Sequence, residues 1–264
     1  MDLGLGGKRA VVTGSTAGIG LAIARLLAAE GASVVVNGRT RERVDAAIEA
    51  VRESAPDADV RGVAADLGTA AGCAALVAEV PDADILVNNL GIFEPKPFEE
   101  IGDDEWLHFF EVNVLSGVRL ARHYMGGMRK RDWGRIVFVS SESAVQIPSE
   151  MIHYGMTKTA QLAVARGLAE TTAGTGITVN SVLPGPTASE GVATFVGQMA
   201  DARGVDFDAM ERDFFEHARP SSLLRRFATP DEIASLVAYV CGAPASATNG
   251  AALRVDGGVI RSIL

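Results

Sequence analysis

The 264-residue chain is 48% hydrophobic and 22% charged, enough apolar material for a large core and far from the composition of a disordered segment. Its formal net charge of -9 excludes a general nucleic-acid or anionic-membrane binder, because the summed field repels polyanions at a distance, though a locally basic pocket is still allowed. No apolar run approaches the ~20 residues that span a bilayer, and Met1–Lys8 lacks a basic stretch followed by an apolar one. A cytoplasmic protein with no membrane partner is therefore the expectation.

Taken in chain order, short β-branched runs alternate with longer segments of helical period. The runs are Ala10–Thr13, Ser33–Val36, Asp59–Val63, Ile85–Val87, Arg135–Val139, Ile177–Val179 and, before Asp256-Gly257-Gly258, Ala251–Val255. The first intervening helix shows its buried stripe as Ile19, Ile23, Leu26 and Leu27 and stops at Gly31, which suits a left-handed cap. Nearly continuous apolar strands separated by helices predict an α/β fold: a doubly wound, predominantly parallel seven-stranded sheet with helices on both faces. No linker divides residues 1–264, so one domain is expected. Only 186–229 breaks the alternation, with a helical pattern around Phe207–Phe215, and it is the expected substrate loop or lid. Cys73 and Cys241 have no metal-ligand spacing and are expected as buried reduced thiols, with no metal site.

Directly after the first run comes Thr13-Gly14-Ser15-Thr16-Ala17-Gly18-Ile19-Gly20, opening the first helix. Gly14 permits the strand-to-helix turn, Gly18 lets backbone approach a pyrophosphate, and Gly20 permits close helix–strand packing, while free N–H groups at the helix start face the anion. The placement is that of a Rossmann-like dinucleotide site, but the glycines fall at 14, 18 and 20 rather than in the general G-x-G-x-x-G spacing. Thr-Gly-x-x-x-Gly-x-Gly resembles the pattern of the short-chain dehydrogenase/reductase family. That resemblance implies cofactor contacts from Ser15, Thr16 and Ile19 as well.

Cofactor choice is read at the end of the second strand, where a carboxylate would bind the 2′-hydroxyl of NAD. Here Gly38 is followed by Arg39, whose guanidinium suits a 2′-phosphate. NADP(H) is favoured, with NAD(H) the alternative. Asp66, after the third strand, resembles the family's adenine-contacting Asp, with Leu67 beside it; the alternative is that Asp66 caps the helix starting near Thr69.

Tyr154 and Lys158 lie four residues apart on a predicted helix and so share a face. A phenol with a pKa near 10 needs a neighbouring cation to act near neutral pH, and the Lys158 ammonium can serve. Ser141 lies thirteen residues before Tyr154, the family spacing, and can hydrogen-bond the reacting oxygen; Ser140 is its competitor. The resemblance further implies that Asn113 holds a water contacting the lysine and completes a Ser-Tyr-Lys-Asn tetrad. Asn88-Asn89-Leu90-Gly91 resembles the family's Asn-Asn-Ala-Gly and implies cofactor-bordering roles for Asn89 and Gly91, with Leu90 a departure from the pattern. Pro184-Gly185-Pro186-Thr187 resembles the turn that flanks the nicotinamide. Glu142 is expected to be a solvated or hydrogen-bonded loop carboxylate, and His153 a surface histidine.

Gly14, Arg39, Asn89, Ser141 and Gly185 each follow a different predicted strand, so they share one sheet edge, where ligands of open α/β sheets bind. The expectation is an NAD(P)(H)-dependent oxidoreductase that interconverts a carbonyl and an alcohol on a small-molecule substrate, a homotetramer by resemblance. The alternatives are a non-catalytic nicotinamide-nucleotide sensor or scaffold on the same fold and, within the enzyme reading, a 3-oxoacyl-thioester reductase.

Overall fold

The computed structural model describes residues 1–189 and 206–263. Seven strands form one sheet: β1 (Arg9–Val12), β2 (Ser33–Gly38), β3 (Val60–Ala64), β4 (Ile85–Asn88), β5 (Gly134–Val139), β6 (Ile177–Pro184) and β7 (Ala252–Val255). Their order is β3-β2-β1-β4-β5-β6-β7 and every neighbouring pair is parallel. The chain winds outward from β1 to β3, then returns to β1's other side with β4, so the switch in direction falls between β1 and β4. That is where a crevice opens at the strands' carboxyl ends.

Side chains alternate across the sheet, and helices cover both faces. Val12, Val34 and Val36 enter one core with α1 (Gly18–Ala29), α2 (Arg41–Ser54) and α8 (Pro230–Cys241). Val11 and Val35 enter the other, against α3 (Ala70–Glu79), α5 (Ser116–Arg131) and α6 (Ile152–Glu170). Burial on both faces is why the strands are runs of Val and Ile rather than alternating polar and apolar residues. Leu27, wholly buried in the first core, would cost ~2–5 kcal/mol as Ala.

Helix ends follow local chemistry. Gly31 takes φ +89° and closes α1 with its N–H on Ala28 O at 3.0 Å, while Thr40 and Thr69 cap α2 and α3 through their side-chain oxygens. The α3 cap is therefore Thr69, and the Asp66 carboxylate accepts from Gly68 N–H at 3.0 Å. A further helix, α4 (Asp103–Phe110), runs into a π-helical turn, Glu111–Leu115, that carries Asn113 and leads into α5. The predicted helical pattern after the lid's start appears as α7 (Phe207–Asp213) and a π turn through Ala218; the part of the 186–229 lid expectation at 190–205 lies outside the described residues. Cys73 and Cys241 are buried free thiols. Among the described residues no helix is long and apolar enough to cross a membrane.

Candidate active site

The glycine turn is built by close approach. Gly14 and Gly18 have φ +58° and +53°, values that favour glycine. A Cβ on Gly20 would lie 2.4 Å from Gly14 O and 2.5 Å from Asn89 Nδ2, so α1 can start this near the β1 and β4 ends only with glycine there. Asn89 ties the two loops, donating from Nδ2 to Thr13 O (3.0 Å) and Gly14 O (2.9 Å), and Thr13 Oγ1 accepts from the N–H groups of Asn89 and Leu90. Leu90 turns into the core shared with Val11 and Leu86 and is not among the residues that line the cleft. Ser15 spends its hydroxyl on Val12 O and its N–H on Asn37 O, so its polar groups serve the strand ends.

Asn37 was not expected as a site residue. Its buried carboxamide accepts from Gly14 N–H (3.2 Å) and donates to Val63 O and Ala65 O, both at 3.1 Å, so one side chain fixes the ends of β1, β2 and β3 together. An apolar strand interrupted by one Asn just before Gly38 was the available signal. A Cβ on Gly38 would meet Thr16 Cγ2 at 2.4 Å, so Thr16 packs against the end of β2 where a side chain on residue 38 would begin. Arg39 beside it is exposed and makes no hydrogen bond or ion pair among the described residues.

At the other side of the switch point, Ile19, Asn89, Gly91, Ser141, Tyr154, Lys158, Pro184, Gly185 and Thr187 line one cleft of about 710 Å³. Gly185 is required by packing, since its Cβ would lie 2.5 Å from Asp256 O; Thr187 Oγ1 donates to Gly185 O at 2.9 Å. Ser140 is spent on the fold, its hydroxyl donating to Lys158 O at 2.9 Å. The Ser141 hydroxyl instead donates to the Glu142 carboxylate and accepts from Ser143 N–H at 3.1 Å. A more open hollow of about 800 Å³ beside Arg225, Arg254 and Arg261 holds none of the predicted site residues.

Burial holds the Tyr154 phenol above its ordinary pKa; the Ser141 hydrogen bond pulls it down, Glu142 pushes it up and Arg219 pulls it down. Lys158 is 4% exposed, and burial pushes its ammonium down to about 8. Its Nζ lies 5.6 Å from the centre of the Tyr154 ring and donates to Val139 O at 3.0 Å, the one acceptor it meets among the described residues. Two of its three N–H groups are thus free for a ligand. Asn113 makes no direct hydrogen bond to Lys158: its carboxamide bonds Ile92 N–H and O and Thr157 Oγ1, and its main-chain carbonyl accepts from Gln161 Nε2 at 2.6 Å. It clamps the turn after Gly91 to α6.

One expectation needs correction. His153 is no surface histidine: it is wholly buried against Phe109 and Trp106, with ring centres 4.0 and 5.9 Å away. Both its ring nitrogens lack hydrogen-bond partners among the described residues, and burial pushes its pKa below the ordinary value. The α4–α6 contact, distant in sequence, decides this. Of the two states expected for Glu142, solvated or hydrogen-bonded, it takes the second. It is 4% exposed and ion-paired with Arg219, whose Nε donates to Oε1 at 3.0 Å.

A parallel 3-2-1-4-5-6-7 sheet with a glycine turn after β1 and a Ser-Tyr-Lys cluster after β5 defines a class, and the comparisons agree with it. The short chain dehydrogenase family model matches residues 8–199, and the chain belongs to that family of oxidoreductases. It is 48% identical over 263 residues to the oxidoreductase YvaG of Bacillus subtilis (strain 168), covering 100% of both chains. It is 33% identical to the D-beta-hydroxybutyrate dehydrogenase of Cupriavidus necator, covering 96% of this chain and 98% of that one. The L-sorbose reductase of Gluconobacter frateurii, solved in complex with NADPH and L-sorbose, superposes with TM-score 0.94 at 34% identity over 100% of both chains.

Proposed function

We propose that this chain is an NADP(H)-dependent enzyme that interconverts a small carbonyl compound and its alcohol, with Tyr154 giving and taking the proton. The observation that carries the reading is one cleft that brings Ser141, Tyr154 and Lys158 together beside the glycine turn of β1. The residues present fit a dinucleotide. Gly14, Gly18 and Gly20 leave backbone open for the pyrophosphate, with Ile19, Asn89, Gly91, Pro184, Gly185 and Thr187 along its path and Asp66 and Leu67 at the adenine end. Arg39, exposed and unpaired among the described residues, would pair with a 2′-phosphate, and Thr16 over Gly38 leaves little room for a competing carboxylate. The NADPH complex of the sorbose reductase supports the same choice.

When bound, the nicotinamide supplies or accepts the hydride at the carbonyl carbon. The protein's part is the proton and the oxygen. Ser141 donates a hydrogen bond to the carbonyl oxygen and holds it beside the Tyr154 hydroxyl. Tyr154 transfers its proton to that oxygen as the C=O becomes CH–OH, and takes it back in the reverse direction. Lys158 places a cation 5.6 Å from the centre of the Tyr154 ring, a charge that favours phenolate, and its free N–H groups hold the ribose. Asn113 keeps the Gly91 turn and α6 in register. Residues 206–229 close the far side, where Phe214, Arg219 and Phe227 line the cleft.

Tyr154→Phe removes the transferable proton and little volume. Turnover, followed as NADPH absorbance against a carbonyl panel, should fall by about 10²–10⁴-fold while NADPH still binds by fluorescence titration. Retained turnover would sink the assignment. A wild type that binds NADPH and turns over nothing in a broad panel would instead favour a nucleotide sensor.

A further inference from the structure

The reaction above leaves unused a buried ion pair that sits against its own serine. Glu142 is 4% exposed and Arg219 8%, and both line the cleft. Glu142 Oε1 accepts from Arg219 Nε at 3.0 Å. Its Oε2 accepts from Ser141 Oγ, from Ser143 N–H at 2.8 Å and from Ser143 Oγ at 3.1 Å. Arg219 also donates from Nη1 to Glu150 at 3.1 Å and to Ala218 O at 2.8 Å.

The Ser141 hydroxyl has one proton, and here it goes to Glu142. A carbonyl oxygen that arrives between Ser141 and Tyr154 needs that proton for itself. Once Ser141 turns to it, Oε2 keeps its two Ser143 donors and loses the third, the one beside the reacting oxygen. A hydroxyl on the carbon next to the carbonyl is the group placed to restore it, because the two oxygens sit on neighbouring carbons just as the two acceptors of the Ser141 proton are neighbours. Charge sets a second condition. Arg219 already faces two carboxylates, Glu142 and Glu150, so an anionic group on the substrate would meet two negative charges against the one cation they share.

We propose that Glu142, held by Arg219, is the specificity-determining residue, accepting a hydrogen bond from a hydroxyl adjacent to the reacting carbonyl. The substrates are then neutral α-hydroxy carbonyl compounds, or the matching vicinal diols in reverse, and a carboxylate at that position is refused. The inference rests on the carbonyl–alcohol reading of the site and narrows it.

Three compounds that differ only at the carbon beside the carbonyl test it: hydroxyacetone, acetone and pyruvate. Their kcat/KM with NADPH, and in parallel with NADH, should rank hydroxyacetone above acetone by about tenfold or more, with pyruvate last. Glu142→Gln should raise pyruvate relative to hydroxyacetone. A double variant, Glu142→Met with Arg219→Met, removes both charges without stranding either and should bring the hydroxyacetone-to-acetone ratio near one. The inference is overturned by a wild-type ratio within about threefold, by pyruvate as the best of the three, or by a ratio that survives the double variant. If neither variant folds, the wild-type ranking decides alone. Reduction of many simple ketones without the hydroxyl preference defeats this inference and leaves the carbonyl–alcohol reading standing, whereas no turnover of any carbonyl compound with either nucleotide defeats both.

Discussion

The two halves of the sheet's carboxyl edge are built on different physics. On the β1–β3 side, short loops are fixed by close backbone approach and neutral hydrogen bonds: Gly20 without room for a Cβ, Asn89 across two turns, Asn37 across three strand ends. On the β5–β6 side the walls come from far apart in sequence and are held by buried charge, with Glu142 and Arg219 joined at 3.0 Å and Lys158 sunk below the surface. The first half is a mould of closely packed backbone. The second carries electrostatic cost that a particular substrate and cofactor offset, the pattern expected where specificity lives.

The largest test of that contrast is Arg219→Met. It leaves Glu142 buried without its cation and should cost about 3–5 kcal/mol, roughly 10 °C in Tm, by scanning calorimetry; a loss below about 1 kcal/mol would mean that the pair does not hold the substrate half. Lys158→Met should act with the opposite sign on stability. Because the ammonium's pKa falls from 10.5 to about 8 on folding, the unfolded chain binds more protons between those values, so this group's contribution to stability rises with pH across that window. Below pH 8 the penalty is full, about 3 kcal/mol. The variant without bound nucleotide should therefore be the more stable protein at pH 7 while turning nothing over, and its advantage over wild type should shrink as pH climbs towards 10. An unchanged difference between pH 7 and 10 would count against the buried cation. On the moulded half, Gly20→Ala forces a methyl against Gly14 O and should cost about 1–3 kcal/mol and NADPH binding with it. Gly167→Ala in α6, where a Cβ meets nothing within 4 Å, should be neutral or stabilising by up to about 1 kcal/mol.

Legibility in the sequence follows the same division. Each element of the moulded half is local: a strand run, three glycines at fixed offsets, an Arg after the second strand. Periodicity gave every strand, and strand ends gave one shared edge, so the cleft could be anticipated from Gly14, Asn89, Ser141 and Gly185 alone. The Tyr154–Lys158 spacing is local too. What escaped were contacts between distant elements. Glu142 and Arg219 are 77 residues apart, and nothing near either one announces a partner; His153 appears exposable until α4 packs its Phe109 and Trp106 over it. Spacing alone separates Ser141 from Ser140 in the sequence; in the structure the Ser140 hydroxyl is taken by the Lys158 carbonyl of α6.

The smallest expected effect is the sharpest on cofactor choice. Arg39 stands at the rim of the moulded half, exposed and without a partner among the described residues, so its removal should leave the fold untouched and Tm within about 1 °C. Its charge would be felt only by a phosphate on the adenosine ribose. Arg39→Ala should weaken NADPH by about tenfold, ~1.4 kcal/mol, and leave NADH unchanged, and the difference should shrink as ionic strength screens an exposed pair. Equal losses for the two nucleotides would assign Arg39 to the adenine or the pyrophosphate instead, and no loss for either would make it a solvated loop cation. Gly38→Asp should not convert the site cleanly to NAD, because Thr16 Cγ2 stands 2.4 Å from the new Cβ. A Thr16→Gly, Gly38→Asp pair, which clears that contact, should gain NADH affinity where the single change does not.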